Sequence, residues 1–311
     1  MRAPIAVLIP CLNEGKTVAA TVAAFRAALP TATVFVYDNG SSDDTVAQAE
    51  PTGAVVRHVE ARGKGNVVRK MFADIDASIY LMADGDNTYD ASASIEMIKM
   101  LVDRQLDMVV GRRSAPEDGA YRAGHQLGNR LITGSLGLLF GSGFTDALSG
   151  YRVFSRRFVK SFPVMSRGFE IETELTVHAL TLGLPATELT TRYIARPPGS
   201  LSKLSTYRDG GRIALRIFDL WKNERPLMFF SLIAAFVAIV AIGLAIPLFF
   251  TYVETGLVPR FPTAILSASL MLLAFLCFGG GLVLDVVAHS RREQKRLAYL
   301  QIGQAVEGER D

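Results

Sequence analysis

Residues 5–14 read Ile5-Ala6-Val7-Leu8-Ile9-Pro10-Cys11-Leu12-Asn13-Glu14, a strand-like apolar run that stops abruptly in polar turn residues. Downstream, Val18, Val22, Phe25 and Leu29 repeat at i, i+4, i+7 and i+11, the core face of a helix. Strand-like runs recur at Thr33 to Tyr37, Ala54 to Val59, Ser78 to Ala83 and Leu106 to Gly111, and Val67, Val68, Met71, Phe72 and Ile75 mark a second helical face. Such alternation predicts an α/β fold with a doubly wound, mostly parallel sheet and helices on both faces. In open sheets of this kind ligands bind beyond the carboxyl ends of the strands, so the residues that follow each run matter most. The first run ends in Pro10-Cys11-Leu12-Asn13-Glu14, the second in Asp38-Asn39-Gly40-Ser41-Ser42-Asp43-Asp44-Thr45 and the fourth in Asp84-Gly85-Asp86-Asn87. Three polar turns are therefore expected to converge on one edge.

The chain is 311 residues long with a formal charge of +3, too balanced for a nucleic-acid binder with a basic stripe. Cys11 and Cys277 lie in unlike contexts, which excludes a disulfide framework or zinc spacing, and His58, His125, His178 and His289 show no metal-ligand spacing. The opening residues lack a charged head and long apolar stretch, so no signal peptide is expected.

Hydrophobicity is concentrated after Pro226. Leu227 to Val253 is 27 residues without a charge and Thr263 to Leu284 another 22, whereas a bilayer core needs ~20 helical residues. Two transmembrane helices are predicted, the first with a kink at Pro247. Lys222 and Arg225 precede the first span and Arg291, Arg292, Lys295 and Arg296 follow the second, which puts both termini in the cytoplasm. Tyr207 to Lys222 places Ile213, Ile217, Leu220 and Trp221 at helical spacing, the pattern of an interfacial amphipathic helix. The expected organisation is a cytoplasmic α/β domain over 1–206, the interfacial helix over 207–226, a two-helix membrane region over 227–290 and a basic cytoplasmic tail over 291–311. The expected location is the inner membrane. Small residues at Gly134, Ser135 and Gly137, and at Gly279, Gly280 and Gly281, suit close helix packing, and a homo-oligomer is expected.

Asp84 and Asp86 emerging from a strand offer two hard oxygens suited to Mg²⁺ or Mn²⁺, with substrate phosphates as further ligands. Asp-Gly-Asp is equally good turn chemistry, and Asp38 heads an Asx-type turn whether or not it recognises a nucleobase. Gly63-Lys64-Gly65-Asn66 opening a helix resembles an anion site without the full Walker or dinucleotide pattern. The ordered combination is more specific than any part. Together with Gly111-Arg112-Arg113, Leu127-Gly128-Asn129-Arg130, Asp146-x-x-Ser149-Gly150-Tyr151-Arg152, Gly168-Phe169-Glu170-x-Glu172-x-Glu174 and Gly199-Ser200-x-Ser202-Lys203, it resembles the family 2 glycosyltransferases of GT-A fold. The likeness is strongest to the polyprenyl-phosphate branch that includes dolichol-phosphate mannose synthase and bacterial undecaprenyl-phosphate glycosyltransferases.

That resemblance implies that Pro10, Asn13, Glu14, Asp38 and Lys64 hold the nucleotide, Asp84 and Asp86 the diphosphate and its metal, and Arg112 and Arg130 the acceptor phosphate. Lys203 would come from a loop that closes over the donor, and Glu170 would contact the sugar, although Glu170, Glu172 and Glu174 equally suit the start of a helix through its dipole. Asn39 replaces the second Asp of the common Asp-Asp-Gly-Ser turn, and His125 stands where an Arg is common. The implied reaction is metal-dependent, inverting transfer of one sugar from a nucleotide sugar, a UDP-sugar such as UDP-GlcNAc or UDP-glucose being favoured, to undecaprenyl phosphate at the cytoplasmic leaflet. A lipid monophosphate is largely ionised at neutral pH, so no dedicated base is required. A flippase or a downstream glycosyltransferase would receive the product. The alternatives are a GDP-mannose-dependent mannosyltransferase and a noncatalytic membrane scaffold that binds nucleotide sugar. A processive synthase would carry Gln-x-x-Arg-Trp, but Trp221 lies in Asp219-Leu220-Trp221-Lys222.

Overall fold

The computed structural model describes residues 3–114, 123–141, 143–194, 196 and 206–303, apart from the side chains of residues 3, 123–127, 130 and 206–209. Seven strands form one sheet: β1 (Ala3–Cys11), β2 (Thr33–Asp38), β3 (Val55–His58), β4 (Ala77–Met82), β5 (Met108–Arg113), β6 (Arg152–Ser155) and β7 (Ala186–Thr191), in the order β3-β2-β1-β4-β6-β5-β7. All neighbours are parallel except β6, which runs antiparallel between β4 and β5. The helices are α1 (Val18–Ala28), α2 (Thr45–Ala49), α3 (Lys64–Asp74), α4 (Ala93–Asp103), α5 (Ala123–Phe140), α6 (Arg156–Ser161), α7 (Ile171–Leu182), α8 (Thr206–Glu224), α9 (Pro226–Thr255) and α10 (Phe261–Gln301).

The period-2 alternation of a strand explains why the opening run is apolar throughout. In β1, Ala6 and Leu8 face a core built with Val67, Met71, Phe72, Phe154 and Phe158, whereas Val7 and Ile9 face a second core with Val18, Val22, Phe25, Met97 and Tyr151. The five expected strands are present, and the sheet is mostly parallel with helices on both faces. Two strands escaped the sequence reading. β6 has only four residues and opens with a charged one, and β7, Ala-Thr-Glu-Leu-Thr-Thr, has no apolar run because it is largely half-buried. His178 is buried against the rings of Phe158 and Phe162, and burial lowers its pKa to about 3, so the imidazole is a neutral core group.

The chain divides into two compact units, residues 1–216 with 295–311, and residues 217–294. In the first, Tyr299, near the end of α10, donates through its hydroxyl to Asp107 Oδ2 at 2.7 Å and lies under the Arg157 guanidinium, 4.8 Å from its ring centre. In the second, α9 and the apolar part of α10 are long and apolar enough to cross a membrane. α10 continues well past Leu284, the expected end of the span. The buried residues of α10, Ser267, Ala274, Gly281 and Ala288, are seven apart, as are Ala234 and Ala241 of α9. Small residues at that spacing bring two helices close along a seam. A Cβ on Gly281 would lie 2.9 Å from Phe230 Cβ, whereas Gly279 and Gly280 face open space.

Candidate active site

The turn Asp84-Gly85-Asp86 leaves the carboxyl end of β4 and is pinned to the start of α1. Thr17 and Thr21 both donate their hydroxyls to the Gly85 carbonyl, at 2.7 and 3.2 Å. A Cβ on Gly85 would lie 2.6 Å from Cys11 Sγ, and Cys11 is itself buried at the end of β1. Glycine is therefore needed for the turn to sit this low over the sheet edge. Gly85→Ala is expected to lower stability by ~1–3 kcal/mol, the usual cost of overpacking. Cys11→Ala in the same chain should recover most of it, because the colliding sulfur is gone. Thermal unfolding of the two variants tests this, and an unrelieved double variant would refute the collision.

The first two turns are tied to each other. Asn13, with a positive φ of 53°, donates its amide to Ser41 Oγ at 2.8 Å and accepts from the Ser42 amide through Oδ1, also at 2.8 Å. The Glu14 amide donates to Thr45 Oγ1 at 2.8 Å, and the Glu14 side chain is largely buried. Pro10 lies beside Tyr37 at the ends of β1 and β2. The Asp38 carboxylate accepts from the Gly40 and Ser41 amides at 3.0 and 3.1 Å, closing the expected Asx turn. Asn39 spends its whole amide on the next loop. It donates to the Val59 and Ala61 carbonyls and accepts from the Gly63 amide at 2.6 Å. An ionised Asp at 39 could make none of those donations, so Asn39 is the brace that leads into α3.

Two cations face the two aspartates. Lys64, first residue of α3, reaches Asp84 Oδ1 at 2.5 Å and Glu172 Oε1 of α7 at 2.6 Å. Burial opposes the lysine's charge, but the two carboxylates outweigh it and hold the ammonium above its ordinary pKa. Asp84, which burial alone would raise, is held below the usual carboxylate range by Lys64. Asp86 is 2% exposed, and burial together with the Asp84 charge pushes its pKa up. It accepts from the Thr88 hydroxyl at 2.6 Å and is ion-paired with Arg196. Arg196 arrives by way of a bridge between Tyr89 and Tyr193, and the Ile194 amide donates to the Thr88 carbonyl at 2.8 Å. The sequence reading passed over Arg196. Its signal was its place just ahead of the Gly199-Ser200-x-Ser202-Lys203 motif.

Two hard carboxylates beyond β4 suit one divalent cation, which has to compete there with Lys64 on Asp84 and with Arg196 on Asp86. Among the described residues no group of three or more His, Cys, Asp or Glu side chains is arranged to hold an ion. A cation bound by Asp84 and Asp86 would take its other ligands from substrate phosphates and water, the habit of Mg²⁺ and Mn²⁺.

Arg112 and Arg113 end β5, and they diverge. The Arg112 side chain is exposed, whereas Arg113 forks onto Asp146 at 2.7 and 2.8 Å. Asp146 also accepts from Asn129 of α5 at 3.1 Å, so the Gly-Arg-Arg, Gly-Asn-Arg and Asp-x-x-Ser-Gly-Tyr-Arg motifs meet at one carboxylate. Arg130 follows Asn129 on α5, but its side chain lies outside the described residues, as does Lys203. The three glutamates part company. Glu170 is the residue before α7, its carboxylate against Gly168, while Glu174 accepts from the Met165 and Ser166 amides at 3.0 and 2.7 Å. Glu172 alone of the three pairs with Lys64.

A mostly parallel sheet with one antiparallel strand has counterparts among known proteins. The structure superposes on Mycobacterium tuberculosis glucosyl-3-phosphoglycerate synthase, solved with Mn²⁺, UDP and glucosyl-3-phosphoglycerate, with a TM-score of 0.55 over 69% of this chain and 80% of that one. At 21% identity that likeness is one of fold, the GT-A fold. In sequence, the chain is 34% identical to the glycosyltransferase AglJ of Haloferax volcanii over 96% of this chain and 98% of AglJ. It is 26% identical to the undecaprenyl-phosphate mannosyltransferase of Micrococcus luteus over 64% of this chain and 86% of that protein. The family described as "Glycosyl transferase family 2" matches residues 6–162, which run from β1 to the end of α6 and carry the three turns and both aspartates. With that match over half its length and a full-length relative at 34% identity, the chain belongs to glycosyl transferase family 2.

Proposed function

We propose that this glycosyltransferase moves one sugar from a nucleoside diphosphate sugar to a polyprenyl phosphate at the cytoplasmic face of the membrane. The observation that carries the reading is the acid pair Asp84 and Asp86, held rigidly beyond β4 beside cations, in a chain that also has two helices able to cross a bilayer. Asn13, Glu14 and Asp38, on turns locked to one another, form the floor for the nucleoside, with Pro10 at its edge. Asp84 and Asp86 would hold Mg²⁺ or Mn²⁺, which when bound would neutralise charge developing on the departing diphosphate. Arg196 sits where it can exchange its partner Asp86 for a phosphate oxygen of the donor, and Lys203 follows on the same segment. Lys64, expected to hold the nucleotide, serves it here through Asp84, which it orients.

Arg112 and Arg130 hold the acceptor phosphate, the exposed fork of Arg112 being suited to a headgroup that arrives from outside the protein. A phosphate oxygen attacks C1 of the sugar from the face opposite the diphosphate. The C1–O bond to the donor breaks, its electron pair leaves with the nucleoside diphosphate, and the anomeric centre inverts. Because the attacking oxygen is already ionised, no side chain has to take a proton. Glu170 at the start of α7 is the proposed sugar contact. A UDP-sugar is the preferred donor, and the mannosyltransferase relative makes GDP-mannose the alternative to include.

The test is a transfer assay with radiolabelled UDP-GlcNAc, UDP-glucose and GDP-mannose, undecaprenyl phosphate and Mg²⁺ or Mn²⁺. The expected result is a lipid-linked monosaccharide from one donor, lost on chelation with EDTA. Absence of any such product, with nucleotide binding intact, would overturn the proposal.

A further inference from the structure

Glu172 has no role in the reaction just described, yet it is among the best buried carboxylates of the chain. It lies in the first turn of α7, and its side chain is 6% exposed. Oε1 stands 2.6 Å from Lys64 Nζ, and the same nitrogen stands 2.5 Å from Asp84 Oδ1. The three groups form a row of carboxylate, ammonium and carboxylate, buried at Glu172 and Lys64, whose half-buried far end is one of the two aspartates proposed to hold the metal.

The surroundings fix that row at both ends. A Cβ at Gly65 would lie 2.3 Å from the Ser166 carbonyl oxygen and one at Gly63 would lie 2.2 Å from that of Arg167, so the start of α3 is seated against residues 166 and 167. Glu174 holds the neighbouring amides of Met165 and Ser166. The Glu172 carbonyl accepts from Arg152 at 3.1 Å and from Thr176 at 3.0 Å. A Cβ on Gly150 would lie 2.9 Å from Asp84 Oδ2 and 3.0 Å from Lys64 Nζ, so a glycine there lets the lysine and aspartate close up.

A lysine beside a metal-binding carboxylate creates a problem that Glu172 answers. Lys64 neutralises Asp84 and repels an incoming divalent cation. Across Asp84, Asp86, Glu172, Lys64 and Arg196 the formal charge is three negative and two positive, a net −1. Without the Glu172 charge the set is neutral, and Lys64 has Asp84 as its remaining carboxylate. We infer that Glu172 is a positioning residue for metal binding: it draws Lys64 onto itself and offsets its charge, so that Asp84 is oriented by the lysine without being consumed by it. The inference rests on the proposed role of Asp84 and Asp86 in metal binding.

The experiment uses the full-length chain in detergent micelles, with Mn²⁺ alone and Mn²⁺ plus UDP as probes, free Mn²⁺ being read by electron paramagnetic resonance and folding by thermal unfolding. Partners that act through a ligand usually change metal affinity by ~10–100-fold. Glu172→Gln, which keeps size and loses charge, should raise the Mn²⁺ Kd by about that factor, whereas Glu172→Asp, which keeps the charge, should stay within about threefold of wild type. In a Lys64→Met background, Glu172→Gln should change the Kd by less than about threefold, since the group it acts through is gone. A normal Kd for E172Q overturns the inference, and so does an undiminished effect of E172Q in the Lys64→Met background, which would mean direct contact with the ion. Where Lys64→Met fails to fold, the contrast between E172Q and E172D decides. Asp86→Ala separates the two proposals. If Asp86→Ala leaves Mn²⁺ binding unchanged, the metal site itself is wrong and Glu172 falls with it. If Asp86→Ala abolishes binding while E172Q does not alter it, only the role of Glu172 is wrong.

Discussion

Asp86→Ala is expected to abolish sugar transfer, with kcat reduced by about 10³-fold or more while the protein remains folded. Removing one preorganised group that stabilises transition-state charge typically costs ~10²–10³ in rate, and Asp86 is proposed to help hold the cation that faces the departing diphosphate, so a larger loss is expected. Its geometry argues against a merely structural role. The carboxylate is 2% exposed, carries a raised pKa because burial and the Asp84 charge both oppose its ionisation, and has Arg196 as its counter-charge. A side chain kept only to close a turn would need the Thr88 hydrogen bonds and nothing more. Asp86→Asn makes the distinction. The amide preserves an acceptor for Thr88, so the melting temperature should stay near that of wild type, yet the charge that holds a cation and Arg196 is gone and transfer should fall almost as far as in D86A. Rates of lipid-linked product formation, measured across a Mn²⁺ titration, provide the check. Either variant retaining a tenth of wild-type kcat would refute a metal role for this residue.

How much of this was legible in the sequence depended on whether the signal was local. β1, β2 and β4 are apolar runs followed at once by polar turns, and a strand buried on both faces can hardly be written any other way. The turns announce themselves because Asn, Asp, Gly and Ser each do something in a turn that other residues do poorly. What the sequence could not express was pairing across distance. Arg196 lies more than a hundred residues from Asp86 and follows a segment where Tyr193 bridges to Tyr89 and the Ile194 amide donates to the Thr88 carbonyl. Of three glutamates spaced two apart, the one that meets the site lysine is Glu172, since the segment leading into α7 sits against the start of α3 and not because its neighbours are chemically different. Asn39, read as a variant of a common Asp, turned out to be fully engaged with the Val59, Ala61 and Gly63 main chain. The tail after the second apolar segment read as a charged run, but it stays helical to Gln301 and places Tyr299 on the buried carboxylate of Asp107.

Arg152→Met is expected to destabilise the fold by ~3–5 kcal/mol, because Arg152 ties the turn at residues 147–149 to α7 from a buried position. Arg152 is 0% exposed, at the start of the antiparallel strand β6. Its Nε donates to the Ser149 carbonyl at 2.8 Å, and its Nη2 donates to the Ala147 carbonyl at 2.6 Å, the Glu172 carbonyl at 3.1 Å and Thr176 Oγ1 at 3.0 Å. Burial lowers its pKa to about 10, so the guanidinium remains charged at neutral pH, solvated in effect by main-chain oxygens. Methionine fills much of the volume but strands those acceptors, at ~1–3 kcal/mol for each one left unsatisfied. Thr176, which also donates to the Ala147 and Glu172 carbonyls, limits the loss, as does the desolvation of an arginine that methionine avoids. For a unit of this size the change corresponds to a fall in Tm of roughly 6–20 °C. Arg152→Lys should fall between, because one ammonium cannot reproduce a planar fork that serves residues 147, 149, 172 and 176 together. The loss should extend to chemistry. Arg152 holds the backbone of Glu172, Glu172 holds Lys64 and Lys64 holds Asp84, so a folded fraction of R152K should bind Mn²⁺ more weakly than wild type although the substituted side chain touches neither aspartate. Unchanged Mn²⁺ affinity in R152K would cut that chain of contacts at its first link.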